Sequence, residues 1–339
     1  MKKRLFLPLV VTVIFTLTTC KKTSTVKITE LPKTDTIKIT SPEFDGKLLF
    51  VNKATYQIQT NIPVTFSSTD SHIKITQAGF IQRFISGEVV PITLTDKANS
   101  GNKTTFYALA STDSTFDYPF TKYHALDDNA TIPDSSYHQG WHTLQKLPAT
   151  NETYVIVLRH ADASQGSDFD ADKGPASWWL SCDSTNARQL NMQGVNRAIE
   201  LGKIFKDLNY HITSVTTSEL CRAIQTGTLI NAGPTPVING TLNHYSHNLN
   251  YLNNKITLFN SMLAVLKSMP VNNQMNLIIA HHPINMTDKS GYKTFPRISP
   301  FCWTGAYFVK IHPDNTFTYE GAASWGMFKY WRDYKLNKL

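Results

Sequence analysis

The sequence predicts a chain of two parts, a three-layer α/β/α fold at the carboxyl end and an all-β sandwich ahead of it. From 151 to 339, short apolar runs alternate with amphipathic segments, which is typical of a sheet covered by helices on both faces. From about 41 to 112, short alternating runs are separated by turn-forming pieces. At 339 residues the chain is long enough for both parts.

Residues 1–20 have the pattern of a secretory signal peptide, with basic residues at 2–4 and a mostly apolar stretch over 5–17. The apolar stretch is too short to span a bilayer comfortably. Its end, LTTC at 17–20, resembles a bacterial lipobox, which implies cleavage ahead of Cys20 and lipidation there. An ordinary signal peptide is the alternative. We therefore expect a bacterial cell-envelope protein, attached through lipidated Cys20 to a membrane, the outer one by preference.

Residues 21–40 are rich in Lys and Thr and have little to bury, so they suit a flexible tether. The formal net charge of +8 falls to about +5 once residues 1–19 are removed, and the basic residues are scattered along the chain. This pattern excludes the electrostatic footprint of a nucleic-acid-binding protein and is compatible with acidic substrates or lipid head groups.

The region 41–112 is predicted to be an immunoglobulin-like sandwich, because short strands recur at the spacing of that fold. The pattern VTFSSTDSHIKITQAGFI also resembles bacterial Ig-like domains. No cluster here carries chemistry, so a spacer role is expected, with glycan or partner binding as the alternative. A loop-rich linker over 113–150 follows. The predicted strands are Tyr56–Ser67, His72–Ile75, Phe80–Phe84, Val89–Leu94 and Thr105–Leu109.

The most informative motif of the chain is YVIVLRHADA, which runs from Tyr154 to Ala163. Its apolar, β-branched run predicts a buried strand that stops at Arg159 and His160. In open α/β sheets, ligands bind in the crevice outside the carboxyl ends of the strands. The arginine and the histidine are therefore expected where chemistry is usually done.

Two further strand-like runs end in residues of the same kind. One leads into Ser218, which is predicted to cap a helix that begins near Glu219 and has Arg222 in its first turn. The other, LIIA, leads directly into His281. We expect these side chains to converge with Arg159 and His160 in one crevice.

Such a set is suited to binding a phosphoryl group. Two guanidinium groups and a helix N-terminus form a socket for a tetrahedral dianion. A neutral imidazole in line with the phosphorus can act as nucleophile and give a phosphohistidine that water later hydrolyses. The arginines and the second histidine would neutralise charge on the equatorial oxygens in the transition state. No metal or other cofactor is predicted.

The motifs resemble, in order, three signature blocks of the histidine phosphatase superfamily. They are RHA at 159–161, SELCRAIQT at 218–226 and AHHP at 280–283, and ARQLNMQG at 187–194 is similar to the Leu-Thr-x-x-Gly that opens the first helix of that family. The likeness covers roughly residues 150–312. It implies a phosphoglycerate mutase-like fold and points to the phosphohistidine-phosphatase-like branch.

Carried over residue by residue, the resemblance implies catalytic roles for the matching positions. His160 is expected to be the phosphorylated nucleophile. Arg159, Arg222 and His281 are expected to form the phosphate pocket, with Ser218 as a further substrate-binding residue.

The chain departs from the family pattern at the general acid. One branch has an aspartate directly after the second histidine, where this chain has His282. Another has a glutamate some twenty residues after the second arginine, yet 223–274 contains neither Asp nor Glu. The first candidate is Asp162, and a dedicated acid is not required if the leaving group is good. The other candidates are Asp168, Asp170, Asp172, Asp183, His244 and His282. Ala161 also replaces the usual glycine, as in some phosphohistidine-phosphatase-like members.

We therefore expect a phosphomonoester hydrolase that acts through a phosphohistidine on an extracytoplasmic substrate, either a phosphorylated small molecule or a phosphoprotein. The departure from the family pattern at the general acid motivates an alternative, a surface lipoprotein that binds phosphorylated ligands without turnover. A phosphomutase is disfavoured because an exported enzyme lacks a steady supply of glycolytic intermediates.

Secondary features of the 151–339 region are also predicted. An amphipathic helix is expected around 188–208, with one apolar face formed by Val195, Ala198, Ile199, Gly202 and Phe205. Another helix is expected around 255–269, and a strand at Ala306–Ile311. Three cysteines besides Cys20 allow one disulfide in three pairings, of which Cys182–Cys221 would brace the rim of the pocket.

Two loop features have alternative interpretations. Trp178 and Trp179 are expected either to wall the pocket or to serve as hydrophobic cover. The alternating aspartates at 168–172 are similar to a calcium loop. A tryptophan, Trp179, stands where that loop requires glutamate, so calcium is disfavoured.

Overall fold

The computed structural model describes residues 35–51, 56–84, 87–110, 134–149, 151–169, 174–243, 255–280 and 303–339. The predicted signal peptide, Cys20 and most of the tether lie outside these ranges, as do His281 and Cys302. The same holds for four candidate acids, Asp170, Asp172, His244 and His282. Within the described ranges, no helix has the length and apolar character that a membrane span needs.

In the N-terminal region, the described residues form seven strands in two sheets. One sheet has the order β1-β7-β6-β3 and the other β2-β5-β4, and apolar side chains of both sheets share one buried cluster. The first strand pairs with the seventh in parallel, and the other pairings are antiparallel. The strands are β1 (Leu48–Val51), β2 (Tyr56–Gln57), β3 (Val64–Ser67), β4 (Ile73–Ile75), β5 (Phe80–Phe84), β6 (Val89–Asp96) and β7 (Lys103–Ala110).

Strand β1 is absent from the sequence-based prediction, and the predicted run 56–67 is divided into two strands. All four residues of β1 are buried. Leu49 and Val51 belong to the core of the N-terminal strands, whereas Leu48 and Phe50 pack into the core of the following α/β region. A strand buried on both faces has no alternation of apolar and polar residues, so a search for alternation does not detect it.

The α/β region is built on a six-stranded sheet of order β10-β9-β11-β8-β12-β13. Strands β8 to β11 are parallel where they pair, and the β8-β12 and β12-β13 pairs are antiparallel. Strand β12 confirms the prediction at Ala306–Ile311. The strands are β8 (Thr153–Arg159), β9 (Ile212–Thr217), β10 (Val237–Ile238), β11 (Met275–Ala280), β12 (Ala306–Ile311) and β13 (Phe317–Ala323).

Among the described residues, five α-helices accompany this sheet, and the two predicted ones are confirmed with shifted ends. The second helix buries Ala198, Gly202 and Phe205 as expected, but the predicted core residue Ile199 is 37% exposed, and Leu201 and Ile204 are buried instead. The buried stripe is therefore rotated relative to the prediction. The helices are α1 (Asp134–Lys146), α2 (Met192–Asp207), α3 (Cys221–Ile230), α4 (Lys255–Ser268) and α5 (Trp325–Lys335).

Helix α1 lies within 113–150, which the sequence analysis expects to be a loop-rich linker. It buries Trp141 and Leu144 in the same cluster as Leu48 and Leu109 of the N-terminal strands. This helix is absent from the sequence-based prediction because the Pro and Gly residues of the segment favour loops. Gly140 instead allows the helix to approach strand β13, since a Cβ atom there would lie 1.8 Å from the carbonyl oxygen of Ala322.

Polar contacts also join the N-terminal strands to the α/β region, all within the compact unit Thr36–Leu339. The indole Nε1 of Trp141 donates to Asp45 Oδ2 at 2.7 Å, and the hydroxyl of Tyr330 donates to the carbonyl oxygen of Lys47 at 2.7 Å. The hydroxyl of Ser324 donates to the carbonyl oxygen of Gly87. The two regions therefore share both a core and hydrogen bonds.

Candidate active site

Three parallel strands bring their carboxyl ends together at one edge of the sheet. Strand β11 lies between β8 and β9. The amide of His160 donates to the carbonyl oxygen of Ala280 at 3.1 Å, and the amide of Ser218 donates to that of Ile279 at 3.1 Å. The residues that follow β8 and β9 are thus anchored to the end of β11. His281 comes next after Ala280 in the chain but lies outside the described residues.

His160 is fully buried, and its hydrogen bonds define its tautomer. The ring Nδ1 lies 2.7 Å from the carbonyl oxygen of Ala161. Because a carbonyl oxygen can only accept, Nδ1 carries the proton and Nε2 has the lone pair. That lone pair accepts a hydrogen bond from Nε of Arg222 at 3.3 Å.

The surroundings of His160 keep its imidazole neutral. Burial is the largest cause of a pKa well below the usual value, and the positive charges of Arg222 and Arg159 lower it further. A neutral imidazole keeps its Nε2 lone pair at physiological pH, and this lone pair can attack phosphorus once the hydrogen bond from Arg222 is released. The predicted nucleophile therefore has the protonation state that its role requires.

Helix α3 positions Arg222 in its first turn, as predicted, but Ser218 does not cap this helix. The N-cap residue is Leu220, with no side-chain cap, and the helix begins at Cys221. The helix is tied to the segment after the nucleophile by Thr226. Its hydroxyl accepts from the amide of Ala161 at 3.0 Å and donates to the carbonyl oxygen of Arg222 at 2.7 Å.

Ser218 is fully buried, and its hydroxyl has no hydrogen-bond partner among the described residues. A buried hydroxyl without a partner is costly in a folded protein unless a ligand or water satisfies it. Its place between the end of β9 and the start of α3 suits the predicted substrate-binding role.

The start of helix α2 packs directly behind the nucleophile segment. Asn191 caps the helix by accepting from the amide of Gly194 at 2.8 Å, and its own amide donates to the carbonyl oxygen of Asp162 at 3.1 Å. A Cβ atom on Gly194 would lie 2.2 Å from that same carbonyl oxygen, so only glycine permits this approach. This contact explains the glycine at the end of the ARQLNMQG segment.

Asp162, the first candidate for the general acid, contacts Arg197 of helix α2. Its carboxylate oxygens lie 3.2 and 3.4 Å from Nη1 of that arginine. Burial raises the pKa of Asp162, and the positive charge of Arg197 opposes this shift without cancelling it. Arg197 also stacks over the ring of Trp325, with Cζ 5.0 Å from the ring centroid.

Asp168 forms an ionic cluster with two arginines. Its carboxylate accepts from Nη1 and Nη2 of Arg222 at 2.9 and 3.0 Å, and from Nε of Arg188 at 2.9 Å. Although burial opposes ionisation, Arg222 and Arg188 outweigh it and lower the pKa of Asp168. Asp168 is therefore ionised at neutral pH, which removes it as a candidate proton donor.

Arg159 lies at the end of β8 with its guanidinium Cζ 5.7 Å from the ring centroid of Trp303. It is close enough to His160 to contribute to the lowered pKa of that ring. The structure thus brings Arg159, His160 and Arg222 to one place, whereas the carboxyl group of Asp162 faces Arg197.

The loop after the nucleophile is joined to helix α3 by a disulfide. Cys182 and Cys221 are bonded, with a Cα to Cα distance of 5.3 Å, in one of the three pairings that the sequence allows. The bridge closes a loop of 39 residues, and chain-entropy estimates give such a closure about 4 kcal/mol of stabilisation. It fixes the loop beside Arg222.

The two tryptophans of this loop differ in their environment. Trp178 is buried and packs edge-to-face on Phe169, with ring centroids 6.1 Å apart, so it serves as hydrophobic cover. Trp179 is half-buried and donates from Nε1 to Glu219 at 3.3 Å. Among the described residues, no three His, Cys, Asp or Glu side chains gather as a metal site would require.

No protein-family model matches the chain, and no curated protein matches it significantly. Among solved structures, the chain is similar to the protein histidine phosphatase SixA complexed with tungstate, at 18% identity and a TM-score of 0.34, over 51% of this chain and 97% of that one. It is also similar to a putative phosphohistidine phosphatase SixA from Agrobacterium tumefaciens, at 16% identity and a TM-score of 0.34, over 51% and 99%.

A mycobacterial glucosyl-3-phosphoglycerate phosphatase is a third similar structure, at 11% identity and a TM-score of 0.34. That alignment covers 50% of this chain and 99% of the other. About half of this chain therefore lies outside each alignment.

Sequence reasoning did not assign roles to Arg188, Arg197 or Thr226. Thr226 stands inside the SELCRAIQT block, so its place in a motif was an available signal. Arg188 and Arg197 flank the start of helix α2, and nothing in their local sequence indicates which carboxylate each one meets.

Proposed function

We propose that this chain is a phosphomonoester hydrolase that forms a phosphohistidine at His160. The proposed substrates are extracytoplasmic phosphorylated small molecules or phosphoproteins. One observation carries the proposal: the lone pair of a neutral, buried His160 Nε2 faces the Nε–H of Arg222 at 3.3 Å. A nucleophile beside a cation at the end of parallel strands suits attack on a bound phosphoryl group.

In the first step, Nε2 of His160 attacks the phosphorus, and the bond from phosphorus to the leaving-group oxygen breaks with its electron pair on that oxygen. The ring becomes positively charged, and the Nδ1–H bond to the carbonyl oxygen of Ala161 stabilises that charge. In the second step, water attacks the phosphorus and gives a proton to the Asp162 carboxylate, the bond to Nε2 breaks with its electron pair on Nε2, and inorganic phosphate leaves. The neutral imidazole is restored.

The phosphoryl oxygens are proposed to bind to donors that surround His160. The Nε–H of Arg222 and the guanidinium of Arg159 supply positive charge, and the hydroxyl of Ser218 supplies a neutral donor. The N-terminus of helix α3 adds its partial positive charge. We retain His281 as the expected fourth member of this pocket.

Asp162 is proposed to protonate the leaving group. Burial raises the pKa of Asp162, which is the direction that a proton donor needs, and Asp162 follows the nucleophile by two residues. Proton release would leave a carboxylate whose negative charge is stabilised by Arg197 at 3.2 Å.

The acid role predicts an effect that depends on the leaving group. Replacement of Asp162 by Asn should lower kcat for an alkyl phosphate by about 10²- to 10⁴-fold, because an alkoxide needs a proton. The same variant should hydrolyse p-nitrophenyl phosphate nearly as fast as the wild type, because nitrophenolate leaves without one. Steady-state kinetics on both substrates measure this difference. Equal losses on the two substrates would instead assign Asp162 a structural role.

A second candidate function is the binding of phosphorylated ligands without turnover. It is favoured by the engagement of two loop carboxylates with arginines, Asp162 with Arg197 and Asp168 with Arg222. Phosphate release from p-nitrophenyl phosphate by residues 21–339, measured beside tungstate binding by calorimetry, separates the two. Tungstate binding without phosphate release would favour the binding protein.

We also propose that the protein is exported and anchored through lipidated Cys20, with 41–112 as an Ig-like domain and 151–339 as a phosphoglycerate mutase-like domain. The Cys182–Cys221 disulfide supports an oxidising compartment. Two sheets of short strands around one core support the Ig-like assignment. Mass spectrometry of the N-terminal peptide from bacterial membranes should find acyl chains on Cys20. An unmodified N-terminus cleaved elsewhere would contradict the anchor.

A further inference from the structure

The guanidinium group of Arg222 uses two different edges. Its Nη1 and Nη2 atoms face the carboxylate of Asp168 in a bidentate pair at 2.9 and 3.0 Å. Its Nε atom faces Nε2 of His160 at 3.3 Å. Because a guanidinium group is planar and rigid, a partner that holds one edge fixes the direction of the other.

This arrangement distinguishes two possible effects of Asp168. A carboxylate on the edge that faces the nucleophile would block an incoming phosphoryl group. Asp168 instead accepts from the two Nη atoms, and the Nε atom remains directed at His160 Nε2. The carboxylate is therefore placed to orient the Nε–H of the arginine toward the nucleophile.

Asp168 is itself held in place from several sides. Arg188 donates to its two oxygens from Nε at 2.9 Å and from the backbone amide at 3.0 Å. The carbonyl oxygen of Arg188 accepts from Nη1 of Arg222 at 3.2 Å, so the three residues form a closed ring of hydrogen bonds.

The backbone that carries Asp168 is also restrained. Gln165 and Gln189 exchange backbone hydrogen bonds at 3.3 and 2.7 Å. Gly166 has a φ of +81°, and a Cβ atom there would lie 2.1 Å from the carbonyl oxygen of Ser184. These contacts, with the nearby disulfide, restrain the backbone that leads into Asp168.

Burial makes a counter-charge necessary at this point. Arg222 is 1% exposed, and a buried cation without a partner is strongly destabilising. Asp168 supplies the opposite charge, and the ring of hydrogen bonds through Arg188 fixes how the two charged groups face each other.

We propose that Asp168 is a positioning residue that holds Arg222 with its Nε edge toward the nucleophile. This inference deepens the proposed function and rests on it for its catalytic consequence. The orientation of Arg222 by Asp168 can be tested whether or not the protein turns over a substrate.

The test compares full-length wild-type protein with the Asp168→Asn variant, which removes the charge at nearly constant volume. We expect kcat on p-nitrophenyl phosphate to fall about 10²-fold, because small misplacements of a catalytic group have effects of this size. We expect KM to change much less, and tungstate affinity to fall. A crystal structure of the variant should show the Arg222 guanidinium turned away from His160. Asp207→Asn is the matched control, because Asp207 is an exposed aspartate at the end of helix α2, and it should leave all four measurements unchanged.

If Asp168→Asn does not fold, Asp168→Glu keeps the charge while moving it by one methylene group. That variant should show the same displacement of Arg222 and a smaller loss of kcat. An unmoved guanidinium with unchanged kcat in either folded variant would overturn the proposal. So would a rise in kcat or in tungstate affinity, which a blocking carboxylate would produce. If the wild type itself forms no phosphohistidine, the proposed function fails, and the crystal structures still decide whether Asp168 positions Arg222.

Discussion

Replacement of His160 by Gln is expected to abolish phosphate release while the protein stays folded. Loss of a nucleophile that acts together with its partners lowers kcat by about 10⁶-fold in comparable enzymes. Glutamine retains a side-chain donor for the carbonyl oxygen of Ala161, so the buried hydrogen bond of the ring has a substitute. Initial-rate measurements with p-nitrophenyl phosphate, with circular dichroism on the same samples, test both parts of this expectation.

Arg222→Lys should also be strongly impaired, by about 10³- to 10⁵-fold, because a lysine cannot present the planar fork of donors. Lysine keeps a positive charge beside Asp168 and so avoids leaving that carboxylate unpaired. His211→Gln is the control, because His211 is exposed and precedes strand β9. Full activity of folded His160→Gln would remove the nucleophile from the proposed mechanism.

Deletion of the N-terminal strands is expected to prevent the α/β region from folding on its own. The fragment 115–339 would expose the faces of helices α1 and α5 that Leu48, Phe50 and Leu109 cover. Each large apolar side chain returned to water costs about 1.5–3 kcal/mol, and several such losses approach the 5–15 kcal/mol that typically stabilises a domain. The fragment should therefore aggregate or show no cooperative thermal transition.

A shorter deletion is the matched control. The fragment 36–339 retains all of the contacts between the strands and the helices, including the bonds from Trp141 to Asp45 and from Tyr330 to Lys47. It should be monomeric and have the Tm of the mature protein. A soluble 115–339 fragment with an unchanged Tm would show that the α/β region folds without the N-terminal strands.

The strands and the convergence of Arg159, His160 and Arg222 could be predicted because both follow from local patterns. A buried parallel strand has a continuous apolar run, and its last residue marks the edge where ligands bind. Three such runs ended in Arg159-His160, Ser218 and His281, and the described ends of these strands lie together in the sheet. Residues that are distant in sequence were thereby placed side by side.

The partners of the arginines could not be predicted in this way. Asp168 and Arg222 are 54 residues apart, and their pairing depends on how the loop after the nucleophile folds back on helix α3. From sequence alone, any of several aspartates in that loop could be the partner of Arg222. Ser218 was assigned to capping from its residue type, whereas the helix begins three residues later, at Cys221.

The junction between the two parts was the other element beyond sequence reasoning. Strand β1 has no alternation because it is buried by both regions, and helix α1 contains residues that favour loops. Both elements contribute side chains to the buried cluster that contains Trp141, so tertiary contacts stabilise them. Tertiary packing outweighed local propensity at this point.

Trapping of the covalent intermediate tests the central claim most directly. Full-length protein is mixed with a phosphorylated substrate and quenched within one turnover in alkali, in which a phosphohistidine survives. Peptide mass spectrometry should then find one phosphoryl group on His160, absent from the His160→Gln variant and from samples treated with acid. Substrate turnover with no phosphoryl group on His160, or with the group on another residue, would contradict the account.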